Sequence, residues 1–202
     1  MGITIQQFNQ MTARLGKRAP TAKTPALPLP RRRTGGRQII LGVDPSLRGT
    51  GYGVIQLTAA TPATLAQGTI SCPAKWERSR CLAKIFQTLR GVIREHRPTV
   101  CVIEGLFYAQ NLQTALIMGE ARGAALAAIA EAGLEIYELA PRKVKQAIVG
   151  YGAAQKIAVA KMVQRMLNLP ELPAPDAADA LALALTHAQE TGRFGLTAPR
   201  RI

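Results

Sequence analysis

Aspartate is nearly missing from this 202-residue chain: it occurs at Asp44, Asp176 and Asp179 and nowhere else. Histidine is as scarce, at His96 and His187, which lie far apart and fit structural or solvated positions better than a ligand pair. Cys72, Cys81 and Cys101 are odd in number and show no C-x-x-C spacing, which argues against a disulfide framework and a zinc knuckle and leaves small buried thiols in a reducing compartment. No stretch approaches the roughly 18 apolar residues of a membrane span, and the N-terminus shows no signal-peptide core. A soluble, cytoplasmic protein with no membrane partner is therefore expected.

Acids are outnumbered throughout. Lys and Arg total 26 against 12 Asp and Glu, a formal charge of +14. Such an excess favours a polyanionic partner, nucleic acid first, over a small neutral one; a basic surface serving only solubility is the plain alternative. Residues 1–37 hold eight of the cations, no acid, and Pro20, Pro25, Pro28 and Pro30. That composition predicts a disordered basic extension able to touch phosphates nonspecifically. Its arginine content is that of an organellar transit segment, but it contains no serine.

From residue 38 the pattern is that of one folded domain over 38–190, followed by a short tail, 191–202. Strands are predicted at 38–44, 50–57 and 64–71, broken by a Pro-Ser-Leu-Arg-Gly turn and by Pro62, which makes an antiparallel meander. Leu82, Ile85, Phe86, Leu89, Val92 and Ile93 recur at helical spacing and form a stripe that must cover the sheet. A buried strand at 99–104, a helix at 111–132 rich enough in Ala and Gly for close backbone approach, and a strand at 135–139 follow. Pro141 opens a helix through Val149, the Gly150-Tyr151-Gly152 turn stops it, and helices at 154–169 and 175–187 complete the domain. This order predicts an α/β, ribonuclease H-like fold with a central mixed five-stranded sheet flanked by helices.

Four acids stand out against that frame. Asp44 ends the run Ile39-Ile40-Leu41-Gly42-Val43, Glu104 ends Val100-Cys101-Val102-Ile103, and Asp176 and Asp179 lie three apart in the last helix, on one face. Like charges about 4 Å apart repel by roughly 4 kcal/mol at an effective dielectric near 20, so such a group calls for a cation. Phosphodiester hydrolysis needs an activated water and neutralised charge on the phosphoryl and leaving oxygens, and a pair of hard cations meets both needs. Carboxylates without a nearby thiolate or imidazole suit Mg2+ or Mn2+ better than zinc. Singly, each acid has a duller reading: Asp44 as a turn former before Pro45, Asp176 as a first-turn residue favoured by the helix dipole. Glu104 and Asp179, with apolar neighbours, resist it.

The segment from Ile39 through Asp44-Pro45-Ser46-Leu47-Arg48-Gly49-Thr50-Gly51-Tyr52-Gly53 to Ile55 resembles the opening motif of the bacterial RuvC Holliday junction resolvases. Ile103-Glu104-Gly105-Leu106-Phe107 is similar to their second motif, Val144-Lys145-Gln146 with Val149-Gly150 to the next, and Asp176-Ala177-Ala178-Asp179-Ala180-Leu181-Ala182 to the last. The likeness runs in order from about residue 38 to 190. It implies symmetric nicking of four-way DNA junctions in recombination and repair, with Asp44, Glu104, Asp176 and Asp179 as catalytic ligands of two Mg2+ ions, Mn2+ substituting. It further implies that Phe107 stacks on an unpaired base at the junction centre and that Lys145 and Lys156 sit near the scissile phosphate, assisted by Arg122, Arg142 and Lys143. A core phenylalanine and a solvated charged face are the respective alternatives.

Ser46, Gly105 and Gln110 depart from residues common in the family, which touches loop geometry and DNA contact rather than the acids. Paired cuts on a two-fold substrate imply a homodimer, with the 111–132 helix as candidate interface, and the RuvA-RuvB branch-migration complex is the partner implied by resemblance. Other readings remain open at this point. Gly49-Thr50-Gly51-Tyr52-Gly53 after a strand-end Asp also resembles the phosphate hairpin of actin-like kinases, although the chain is short for two lobes and Asp176 with Asp179 would have no role. A noncatalytic junction-binding module, or a nuclease of this fold acting on another branched or hybrid nucleic acid, would share the same motifs.

Overall fold

The structure, a computed structural model, describes residues 38–58, 61–105, 111–192 and 200–202. The expected extension 1–37 and Phe107 lie outside them. Strands β1 (Ile39–Asp44), β2 (Gly49–Gln56) and β3 (Ala63–Ser71) precede helix α1 (Arg78–His96), strand β4 (Val100–Glu104), helix α2 (Leu112–Glu131) and strand β5 (Glu135–Leu139). Helices α3 (Pro141–Val149), α4 (Lys156–Met166) and α5 (Pro175–Gly192) and the two-residue strand β6 (Arg200–Arg201) follow.

The strands lie in the order β3-β2-β1-β4-β5-β6. The first three form the antiparallel meander, β4 and β5 run parallel to β1, and β6 returns antiparallel against β5. All five expected strands are present. The sixth falls in the segment expected to be a tail: Arg200 and Arg201 pair with Glu138 and Tyr137, so the last residues satisfy backbone groups that β5 would otherwise leave open at the sheet edge.

Two cores sandwich the sheet, and strand alternation assigns residues to each. Leu41, Val43, Cys101 and Ile103 point to one face, where Cys81, Ile85, Leu89 and Ile93 of α1 and Ala121, Ala125 and Ile129 of α2 cover them. The α1 stripe is the predicted one, with Leu82, Phe86 and Val92 at its margin. Each large aliphatic side chain taken fully from water contributes about 1.5 to 3 kcal/mol. Alanines make the α2 contact, whereas Gly119 and Gly123 face open space, so small side chains rather than glycines permit the approach. Cys72, Cys81 and Cys101 are buried free thiols, and Cys81 Sγ accepts from Arg48 Nη1 at 3.2 Å.

On the opposite face Ile40, Val100 and Val102 meet α3, α4 and the apolar length of α5. Helix α5 is buried from Ala177 to His187 apart from Asp179, and it extends past His187 to Gly192. A glycine track on the sheet receives it. A Cβ at Gly42 would overlap the Ala180 carbonyl, one at Gly51 the Asp176 carbonyl, and one at Gly53 would come within 2.6 Å of Leu181 Cδ2. Gly42 and Gly53 are register partners, as are Asp44 and Gly51, so the track crosses β1 and β2 directly beneath the helix.

Candidate active site

Period-2 alternation decides where the strand-end acids point. Asp44 shares the face of Ile40 and Gly42, and Glu104 that of Val100 and Val102, which is the face occupied by α5. The parallel register runs from Ile40↔Val100 to Val43↔Ile103, and one further step sets Asp44 beside Glu104. The turn after Asp44 is locked by Thr50, whose hydroxyl donates to the Ser46 carbonyl at 2.6 Å and accepts from the Ser46 amide at 3.2 Å. Helix α5, seated on the glycine track, brings Asp176 and Asp179 to the same end of the sheet. A Cβ on Gly49 would sit 2.8 Å from Asp176 Oδ2.

The electrostatics show that the acids sense one another. Burial, then the charge of Asp179, pushes the Asp44 carboxyl up to about 6; Asp176 adds to the rise and Lys156 opposes it. Glu104 is pushed up to about 8, first by burial, then by Asp44 and Asp179, against Lys156 and Lys145. Lys156, the first residue of α4, donates from Nζ to Asp179 Oδ2 at 2.8 Å. That hydrogen bond, with the added charges of Asp44 and Asp176, raises the lysine pKa despite partial burial. Helix α3 contributes Lys145, whose charge is felt at Glu104. Helices α3 and α4 thus each bring a cation toward the carboxylates.

The donor chemistry fits a hard divalent cation: the four candidates supply carboxylate oxygens only. Their spacing is more open than a closed ligand set, because among the described residues no three His, Cys, Asp or Glu side chains stand close enough to share one ion.

The other expected DNA-binding residues separate into different places. Arg142 is exposed and its side chain packs against Gly152. Lys143 turns to Glu190 on α5, with 2.6 Å between Nζ and Oε1. Arg122 is only 7% exposed, and its guanidinium donates to the Glu104 carbonyl and to Glu138 Oε2, which ties it to the fold. Glu138 was not singled out from sequence, and neither was Thr50. A buried Arg on an Ala-rich helix and a carboxylate inside a short strand were the available signals, since each requires the other.

Comparison with known proteins accords with this geometry. A family model described as "Crossover junction endodeoxyribonuclease RuvC" matches residues 40–187. The protein of that name from Geobacter sp. strain M21 is 42% identical over 158 residues, covering 78% of this chain and 96% of its own. That from Akkermansia muciniphila is 46% identical over 148 residues, covering 73% and 89%. Among solved structures, T. thermophilus RuvC in complex with Holliday junction substrate superposes with a TM-score of 0.73 at 32% identity, over 82% of this chain and 99% of that one. The matched span, the identity and the fold agree, and the chain belongs to the crossover junction endodeoxyribonuclease RuvC family.

Proposed function

We propose that this chain is a resolvase that nicks four-way DNA junctions symmetrically in recombination and repair, with Asp44, Glu104, Asp176 and Asp179 as metal ligands, Mg2+ as the ion and two ions per site. One observation supports the site assignment: acids from two parallel strands and a separate helix face one end of the sheet, where burial and then the neighbouring carboxylates push Asp44 and Glu104 up. Bound there, the cation supplies Lewis acidity toward the phosphoryl oxygens and a water acidic enough to attack.

The chain's own groups do the rest. Asp44 and Glu104, on rigid strand ends, fix the orientation of the site, and the glycine track fixes where α5 sets Asp176 and Asp179. Lys156 and Lys145 hold non-bridging phosphate oxygens and offset charge as it develops in the transition state. Lys156 and Asp179 form an internal counterion pair beside these acids.

Symmetric cuts require two sites, hence a two-fold dimer. The first turns of α2 suit such a contact: Leu112 is 77% and Leu116 59% exposed, an apolar pair four residues apart on one face. Phe107, by resemblance, stacks at the junction centre, and the RuvA-RuvB complex delivers the substrate. Among the described residues no helix is long and apolar enough to cross a membrane.

The deciding experiment presents four-way, flap, linear and RNA-DNA duplexes to the protein with Mg2+ or Mn2+. Paired nicks confined to the four-way junction, lost in Asp44→Asn with junction binding retained, are expected. Binding without nicking under both ions establishes a noncatalytic module, and equal cutting of flap or hybrid duplexes establishes a different substrate.

A further inference from the structure

We infer that the start of α1 carries a second DNA contact, a phosphate clamp made of Arg48, Arg80 and Lys84 and organised by Trp76, which holds a duplex arm beyond the catalytic carboxylates. The inference rests on the junction-nuclease reading above.

The clamp begins with an accumulation of cations that the fold does not neutralise. Between Cys72 and Lys84 the chain carries Lys75, Arg78, Arg80 and Lys84 against one acid, Glu77. Arg78 is paired, to Glu120 at 3.1 Å. Among the described residues no ion pair to a carboxylate is formed by Arg80, Lys84 or Arg48, and their partners are neutral. Arg48 Nη1 donates to the Pro73 carbonyl at 2.7 Å and the Trp76 carbonyl at 3.1 Å. Lys84 Nζ donates to the Ser71 carbonyl at 2.8 Å.

Those neutral partners orient the cations. The Arg80 guanidinium lies 4.0 Å from the centroid of the Trp76 ring, and Lys84 Nζ lies 5.1 Å from the same ring. An indole face attracts both, so two like charges four residues apart on one helix are held together where they would otherwise repel. The ring, itself half-buried against the α1 core, serves as a platform for the cations and is not free to stack on a base. Two preordered cations with surplus donors and no anion match the phosphodiester backbone in charge and in hydrogen-bonding capacity.

Position relates the clamp to the site. Arg48 lies in the turn that follows Asp44, and its carbonyl accepts from the Cys72 amide at 3.0 Å. The next residue, Gly49, is the one whose Cβ would approach Asp176 Oδ2. One turn therefore connects the carboxylates on the α5 face with the clamp on the α1 side, at the same end of the sheet. A strand whose phosphate reaches the acids continues past Arg48 toward Arg80 and Lys84.

The test uses Asp44→Asn protein, so that no substrate is consumed, with and without Arg80→Gln and Lys84→Gln. Binding to junctions with long arms and with arms cut to a few base pairs is followed by anisotropy across a salt series. Loss of two phosphate contacts should flatten the log-log salt slope by about 1.8 and weaken long-arm binding on the order of tenfold near 0.1 M salt, with short-arm binding unchanged. Trp76 is the chain's only tryptophan, so its emission reports on the clamp, and it should change on addition of the long-arm junction alone. A slope and affinity equal to the parent's on both junctions, or an equal loss on both, overturns the clamp. Nicking by the protein with Asp44 intact, assayed in parallel, separates that failure from a failure of the nuclease reading: a protein that cuts junctions while the clamp variants bind normally loses only the clamp.

Discussion

Lys156 Nζ lies 2.8 Å from Asp179 Oδ2, and through this one contact a cation from α4 reaches the acids of β1, β4 and α5. The same charge opposes the rise in pKa that burial imposes on both Asp44 and Glu104.

Lys156→Gln should therefore move the acid limb of the nicking pH profile to higher pH, because Asp44 and Glu104 lose a neighbour that favours their charged forms. The limb is read from single-turnover nicking between pH 5.5 and 9 at subsaturating Mn2+, where protons and metal compete for the same carboxylates. An unmoved limb with a lower plateau would restrict Lys156 to phosphate contact.

Metal-free stability should fall as pH rises. The folded-state values of Asp44, about 6, and Glu104, about 8, lie above their ordinary values of 3.8 and 4.5, so the folded protein binds more protons than the unfolded chain across that window. The contribution of these groups is thus fully present below about pH 4 and is lost progressively as pH rises through about 8. Thermal melts in EDTA should show a Tm that declines between pH 5 and 8. Glu104→Gln should flatten that decline and be the more stable protein at pH 8, and Mg2+ should restore the parent at pH 8 but not the variant.

Gly51→Ala tests the glycine track. The added methyl overlaps the Asp176 carbonyl, so α5 must lift. Overpacking of this kind costs about 1 to 3 kcal/mol, and the nicking rate at a temperature well below the melt should fall by more than the loss of folded protein explains. Gly91→Ala, where nothing lies within 4 Å, is the control and should be neutral or slightly stabilising.

Arg122→Met strands Glu138 and frees the Glu104 carbonyl, which should cost about 3 to 5 kcal/mol in a denaturant melt, with Arg122→Met/Glu138→Met recovering most of it. Because the guanidinium is buried, the double variant should keep the parent's salt slope for junction binding. A flatter slope would return Arg122 to the DNA surface.

Much of this was legible along the chain because it depends on local rules. Strand-ending acids are visible where an apolar run stops, α3 is bounded by Pro141 and by Gly150 at φ 96°, and Asn111 caps α2 by accepting from the Gln113 amide at 2.8 Å. The burial of Arg122 was not legible for the complementary reason: it depends on Glu138, sixteen residues away on another element.

The linear order of residues was sufficient to put Asp44 and Glu104 at strand ends and Asp176 and Asp179 on the last helix, and to show the basic character of the chain, since periodicity and charge are properties of neighbours. Packing alone settled which cation pairs with which acid, how near α5 lies to the sheet, and that Arg48, Arg80 and Lys84 gather around Trp76. Those outcomes depend on long-range contacts, where desolvation and Coulomb terms are set by distances that no sequence spacing encodes.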